Sequence, residues 1–137
     1  GICTDKKIEM KHEDVTNKII KAFYKVYNTL GYGFLEKVYE NALFLELKQE
    51  GLFVEKQKQI EVYYLGQLVG EYYADLIGSE LIILELKAHE PLLGEHENQL
   101  INYLKATNIE VGLLLNFGKK PELRRKIFDN DKKAMLR

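Results

Sequence analysis

The chain has 137 residues, 46% of them hydrophobic, and its 20 basic and 21 acidic residues leave a formal net charge of -1. That length suffices for one packed core and is too short for two. Balanced charge gives no overall field that would draw the chain to nucleic acid or anionic lipid, so any polyanion has to be held by a local patch or through a metal. No apolar run approaches the ~18 to 20 residues of a membrane span and no signal-like segment opens the chain, so a cytoplasmic protein without a membrane partner is expected. The lone Cys3 excludes an internal disulfide, a thiolate zinc site and an iron–sulfur cluster. Met10 is a candidate start, which makes residues 1–9 a candidate leader. We expect 1–13 to lie outside the fold, 14–128 to form a single domain and 129–137 to be a tail.

In chain order, Val15, Ile19, Ala22, Phe23, Val26 and Leu30 recur at helical spacing from Asp14 until Gly31-Tyr32-Gly33 ends the run. A second helix is expected from Leu35 to Gly51, with Leu35, Val38, Ala42 and Leu45 as its core stripe. The period then changes to two. Ile60 to Tyr64, Leu68 to Ile77 and Leu81 to Lys87 read as three antiparallel strands, turning at Gly66 and at Gly78-Ser79. Beyond Pro91, Gly94 to Thr107 reads as a helix, Glu110 to Asn116 as a buried strand, and the segment from Glu122 as a short basic helix. The order, two helices, three strands, a helix and a strand, is that of an α/β sandwich with a mixed sheet.

The chemistry concentrates on Leu81-Ile82-Ile83-Leu84-Glu85-Leu86-Lys87, where Glu85 and Lys87 share one face of an otherwise apolar strand. Burying two ionised groups there costs several kcal/mol unless a partner or metal compensates. The same tripeptide at Glu46 to Lys48 falls on a helix, where it is ordinary solvated surface. Asp75 joins the pair if the hairpin parity is right. A two-residue turn at Gly78-Ser79 turns Asp75 away, whereas a three-residue loop Gly78-Ser79-Glu80 sets it opposite Ile83, on the face of Glu85 and about 7 Å along the strand. Two carboxylates and a lysine on one face suit hydrolysis of a phosphodiester with Mg²⁺ or Mn²⁺, the hard oxygens holding the metal and the lysine facing the phosphate.

Asp75, nine residues, then Glu85-Leu86-Lys87 resembles the bipartite motif of the PD-(D/E)XK nuclease superfamily, with Ala74 where a proline often stands. Gly33-Phe34-Leu35-Glu36-Lys37-Val38-Tyr39 is similar to the signature of the GxxExxY proteins within that superfamily, and Gln99-Leu100-Ile101-Asn102-Tyr103 to the Q-x-x-x-Y element of its RecB-like members. The resemblance covers about Asp14 to Ile127. It implies a restriction-endonuclease-like αβββαβ core with a mixed central sheet flanked by helices, preceded by an extra N-terminal helix. It also implies Glu36 as a further metal ligand, and it places Gln99 and Tyr103 beside the active site.

The site expected from these residues has Asp75, Glu85, Glu36 and the Leu86 carbonyl at the metal, Lys87 at the phosphate, and Gln99 and Tyr103 in support. Lys119, Lys120, Arg124 and Arg125 are a candidate patch for the backbone of nucleic acid, with DNA the expected polymer. The competing reading is a nuclease-fold module that binds nucleic acid or protein with little or no turnover. A chain this short lacks a separate substrate-gripping domain, which points to a homodimer or a protein partner. One tyrosine of each pair, Tyr63-Tyr64 and Tyr72-Tyr73, is expected in the core, its neighbour facing outward.

Overall fold

The structure is a computed structural model that describes residues 11–88 and 91–134; Cys3 and the candidate leader lie outside the described residues. Helices α1 (Glu13–Leu30) and α2 (Glu36–Gln49) precede strands β1 (Val54–Tyr64), β2 (Gln67–Gly78) and β3 (Ile82–Lys87). Helix α3 (Gly94–Lys105) then leads to β4 (Val111–Phe117), β5 (Pro121–Ile127) and a short 3₁₀ turn at Asn130–Lys132. The five strands lie in sequence order, with β3 and β4 parallel and every other pair antiparallel. This is the α/β fold with a mixed central sheet and flanking helices that the motif order implies. No helix among the described residues is long and apolar enough to cross a membrane.

Two apolar layers follow from strand alternation. One gathers Leu76, Ile82, Leu84, Leu86, Leu113 and Leu115 against Ile19, Phe23, Tyr39 and Leu43 of α1 and α2. The other gathers Ala74, Ile77, Ile83 and Leu114 against Leu100, Tyr103 and Leu104 of α3. Since Ile83 faces α3, so do Glu85 and Lys87 on the same strand. Gly112 lets α3 come close, because a Cβ there would stand 2.6 Å from Cδ1 of the fully buried Leu100.

Several expectations need correction. The buried stripe of α2 is Tyr39, Glu40, Leu43 and Leu47, while Leu35 is 80% and Leu45 64% exposed. The helix is rotated because Tyr39 is drawn inward: its ring stacks on Phe117 at 4.3 Å, its hydroxyl donates to the Gly31 carbonyl at 2.6 Å and it accepts from the Phe34 N–H at 3.2 Å. Strand β1 begins at Val54, six residues before Ile60, since its polar first half is an edge strand with lysines exposed to solvent. The segment from Pro121 is strand β5, antiparallel to β4, in place of the basic helix expected from Glu122; Leu123 and Ile127 pack on the α1/α2 layer at period two. Finally, all four paired tyrosines are exposed. The β2–β3 ladder starts only at Leu76, so the tyrosine-bearing part of the β1–β2 hairpin has no third strand beside it.

Candidate active site

The loop between β2 and β3 has three residues, but they are Ser79-Glu80-Leu81, one place later than expected. The resulting register, Leu76 opposite Leu84, sets Asp75 level with Glu85 itself. The Asp75 N–H donates to Oε1 of Glu85 at 3.1 Å, and the Leu86 N–H donates to Oδ2 of Asp75 at 2.8 Å. Each carboxylate is thereby fixed by the backbone of the opposite strand.

Alternation on β2 breaks at this point. Ala74 packs in the α3 layer and Leu76, two residues on, in the α1/α2 layer. Across from Asp75, Gln57 adopts a left-handed backbone with φ +49°, between the pairs Lys56–Leu76 and Lys58–Ala74. The turnover leaves the Asp75 carboxylate within reach of both layers. On the α2 side stands the buried Glu40, whose Oε1 accepts from Gln57 Nε2 at 2.6 Å; the same nitrogen lies 3.5 Å from Oδ1 of Asp75. Glu40 also pairs with Lys37.

The electrostatics are those of crowded, half-compensated acids. Burial pushes Glu85 up to about 8, with the charge of Asp75 adding to the rise and Lys87 opposing it. Burial also raises Asp75, the Leu86 N–H opposes that rise, Glu40 adds to it and Lys87 lowers it. Burial lifts the Tyr103 hydroxyl to about 12, with Glu85 and Asp75 contributing, which places this tyrosine in the field of the carboxylates.

Asp75, Glu85 and Lys87 are thus brought together, with Tyr103 beside them. Gln99, one helical turn before Tyr103, is half-buried on α3 and shares a groove with Tyr103 and Tyr72. Glu36 is exposed in the first turn of α2; the acid that α2 turns inward is Glu40. Glu40 follows Glu36 by four residues on the same helical stripe, a signal present in the sequence, whereas nothing in the sequence marks the left-handed Gln57. The segment Gly33-Phe34-Leu35 borders one open hollow together with Ala88, just past Lys87, and with Gly118 and Lys119 of the β4–β5 turn. Lys119 and Lys120 are exposed on that turn. Arg124 and Arg125 are neighbours on a strand and point to opposite faces: Arg124 lies on the side of Glu97 in α3, and Arg125 donates to the Lys11 carbonyl at 2.8 Å. His96 accepts the Leu93 N–H at 3.1 Å at the start of α3. Lys48 of the helical Glu-Leu-Lys copy is exposed and lies 5.2 Å above the Phe44 ring.

Paired carboxylates at the C-terminal end of β3, where β3 and the parallel β4 carry Lys87 opposite Asn116, occupy the end at which open α/β sheets hold their ligands. Residues 13–126 match the sequence pattern of the PD-(D/E)XK nuclease superfamily. The chain belongs to that superfamily, whose members are generally metal-dependent phosphodiesterases acting on nucleic acid. Among solved structures, the crystal structure of SSO0001 aligns with a TM-score of 0.52 at 17% identity, over 96% of this chain and 65% of that one. At that identity the likeness speaks for the fold, and this chain spans just under two thirds of the length of SSO0001. No curated protein matches the chain in sequence.

The donor set fits a hard divalent cation. Asp75, Glu85 and the Leu86 carbonyl are all oxygens, and the two carboxylates are held against burial and against like charge, from Glu40 at Asp75 and from Asp75 at Glu85, that a cation would relieve. Among the described residues, no three His, Cys, Asp or Glu side chains stand together as a ready-made metal cluster.

Proposed function

We propose that the chain is a Mg²⁺- or Mn²⁺-dependent nuclease that hydrolyses phosphodiester bonds of nucleic acid, with DNA the expected polymer and the cytoplasm the expected compartment. The observation that carries this reading is the level placement of Asp75 and Glu85 across β2 and β3, with Lys87 next on the same face. Asp75, Glu85 and the Leu86 carbonyl would hold the cation, which when bound supplies Lewis acidity for the water and the phosphoryl oxygen. Lys87 would neutralise the charge that grows on the phosphate as the water attacks, an interaction stronger in the transition state than in the ground state. Tyr103 and Gln99 would position the strand, and Lys119 and Lys120 would meet its backbone outside the site. Glu40 replaces Glu36 as the helix acid we would assign to the site. The Gly33 to Tyr39 segment supports grouping the chain with the GxxExxY proteins, with Tyr39 closing the loop that borders the end of β3.

One observation favours a binding module of low turnover: the Gln57 amide stands between Glu40 and Asp75, where a third carboxylate would otherwise approach. A cleavage screen separates the two readings. Single-stranded, duplex and branched DNA and RNA are incubated with Mg²⁺ or Mn²⁺ and wild-type or Glu85→Gln protein. Cleavage by the wild type alone supports the nuclease, and binding without cleavage of any substrate supports the module.

A further inference from the structure

Where the β1–β2 hairpin runs past β3, it forms with α3 a groove of about 460 Å³ lined by Val62, Tyr72, Asn98, Gln99, Asn102 and Tyr103. Among the described residues the one charged group lining it is Glu95, so they offer no cation to a phosphate there. It offers three carboxamides instead. Asn98 and Asn102 are four apart on one helical stripe with Gln99 beside them, and none of the three side chains hydrogen-bonds to another described residue. Each presents a donor and an acceptor on one planar group, the pairing with which Asn and Gln read the edge of a base. The floor is aromatic: Tyr72, 48% exposed, lies 5.5 Å from the Tyr103 ring at a tilt of 45°.

Position connects the groove to the carboxylates. Tyr72 precedes Asp75 by three residues on β2, about 10 Å at ~3.4 Å per residue, and Tyr103 lies in the field of Glu85 and Asp75. A strand whose phosphate sits at Asp75 and Glu85 has a neighbouring base within reach of the groove.

We propose that this groove holds one unpaired nucleobase of the substrate, stacked on Tyr72 and read by the amides of Asn98, Gln99 and Asn102. The substrate is therefore single-stranded or locally unpaired nucleic acid, because a base in a duplex has its faces stacked and its pairing edge occupied. The inference rests on the nuclease reading for the position of the scissile phosphate. The base itself is the shared chemistry of DNA and RNA.

The test is abasic scanning on single-stranded DNA and single-stranded RNA oligonucleotides, with cleavage sites mapped under Mg²⁺ or Mn²⁺. Removing the base at one position within two nucleotides of the cut should slow the wild type about tenfold or more, as loss of one stacked base would. Tyr72→Ala and Asn102→Ala should slow cleavage of the intact strand to a similar degree and lose that positional sensitivity. Loss in one polymer alone supports the groove and identifies the polymer. A flat abasic profile from an enzyme that cleaves overturns the groove and leaves the nuclease reading standing. If nothing is cleaved, the nuclease reading fails and affinity decides the groove: Lys87→Ala protein binding intact and fully abasic strands equally overturns it. Tighter binding of the intact strand that Tyr72→Ala abolishes supports it.

Discussion

Asp75 and Glu85 hold each other's strands: the Asp75 N–H donates to Oε1 of Glu85 at 3.1 Å, and the Asp75 carboxylate accepts from Leu86, the residue after Glu85, at 2.8 Å. The separation of the two acids is therefore fixed by the β2–β3 register more than by side-chain rotamers. Both are pushed toward the neutral form by burial, with the charge of Glu40 adding at Asp75 and that of Asp75 adding at Glu85, a tension that a shared cation would relieve.

Metal binding is the first consequence. Mg²⁺ or Mn²⁺ should raise the melting temperature of the wild type with increasing concentration, by mass action. Asp75→Asn keeps an oxygen to accept the Leu86 N–H and removes one charge, so without metal it should melt at or above the wild-type temperature and should lose most of the metal-induced rise. A rise equal to that of the wild type would remove Asp75 from the metal site.

The pH dependence follows from Glu85, raised in the fold from 4.5 to about 8. The native state then retains a proton that the unfolded chain has released. Without metal, stability from this group is full below about pH 4.5 and falls as pH rises toward 8, by up to ~1.4 kcal/mol per unit. Glu85→Gln should flatten that slope in denaturant melts taken from pH 5 to 9. Because cation binding displaces the proton, the metal-induced rise in melting temperature should grow over the same range, and a pH-independent rise would contradict it.

The Tyr39 latch gives a stability prediction. Tyr39→Phe keeps the stack on Phe117 and loses the hydrogen bonds to Gly31 and Phe34. It should cost about 1 to 3 kcal/mol, because the removed hydroxyl leaves partners in a partly buried loop. Hydrogen exchange at the Phe34 amide should quicken, and an unchanged melting midpoint would show that the hydroxyl does not hold the loop.

What was legible in the sequence follows physical strength of signal. Period two and the apolar run of β3 located Glu85 and Lys87, since a buried strand tolerates few alternatives at those positions. The sequence left hairpin parity open between two turns and did not carry the register: the loop closes at Ser79-Glu80-Leu81, where both Ser79 and Glu80 adopt positive φ without a glycine to announce it. The face of α2 was misread because Leu35, Val38 and Leu45 are as apolar as a core stripe, while the deciding contact, Tyr39 on Phe117, joins residues far apart in the chain. The edge strand β5 carries Arg124, Arg125 and Lys126, and basic residues mask its alternation of Leu123 and Ile127. Glu40 could be found from helical spacing with Glu36, but its burial depends on that same rotation of α2.

The two Glu-Leu-Lys copies allow the most direct test. Lys87 ends a buried strand beside paired carboxylates, and Lys48 lies exposed over Phe44. The measurement is single-turnover cleavage by wild type, Lys87→Ala and Lys48→Ala on the best substrate of the screen, with saturating Mg²⁺ or Mn²⁺. Lys87→Ala should lower the rate by about 10²-fold or more with little change in substrate affinity, and Lys48→Ala should match the wild type. Equal rates for Lys87→Ala and wild type would contradict the assignment of the strand copy as catalytic.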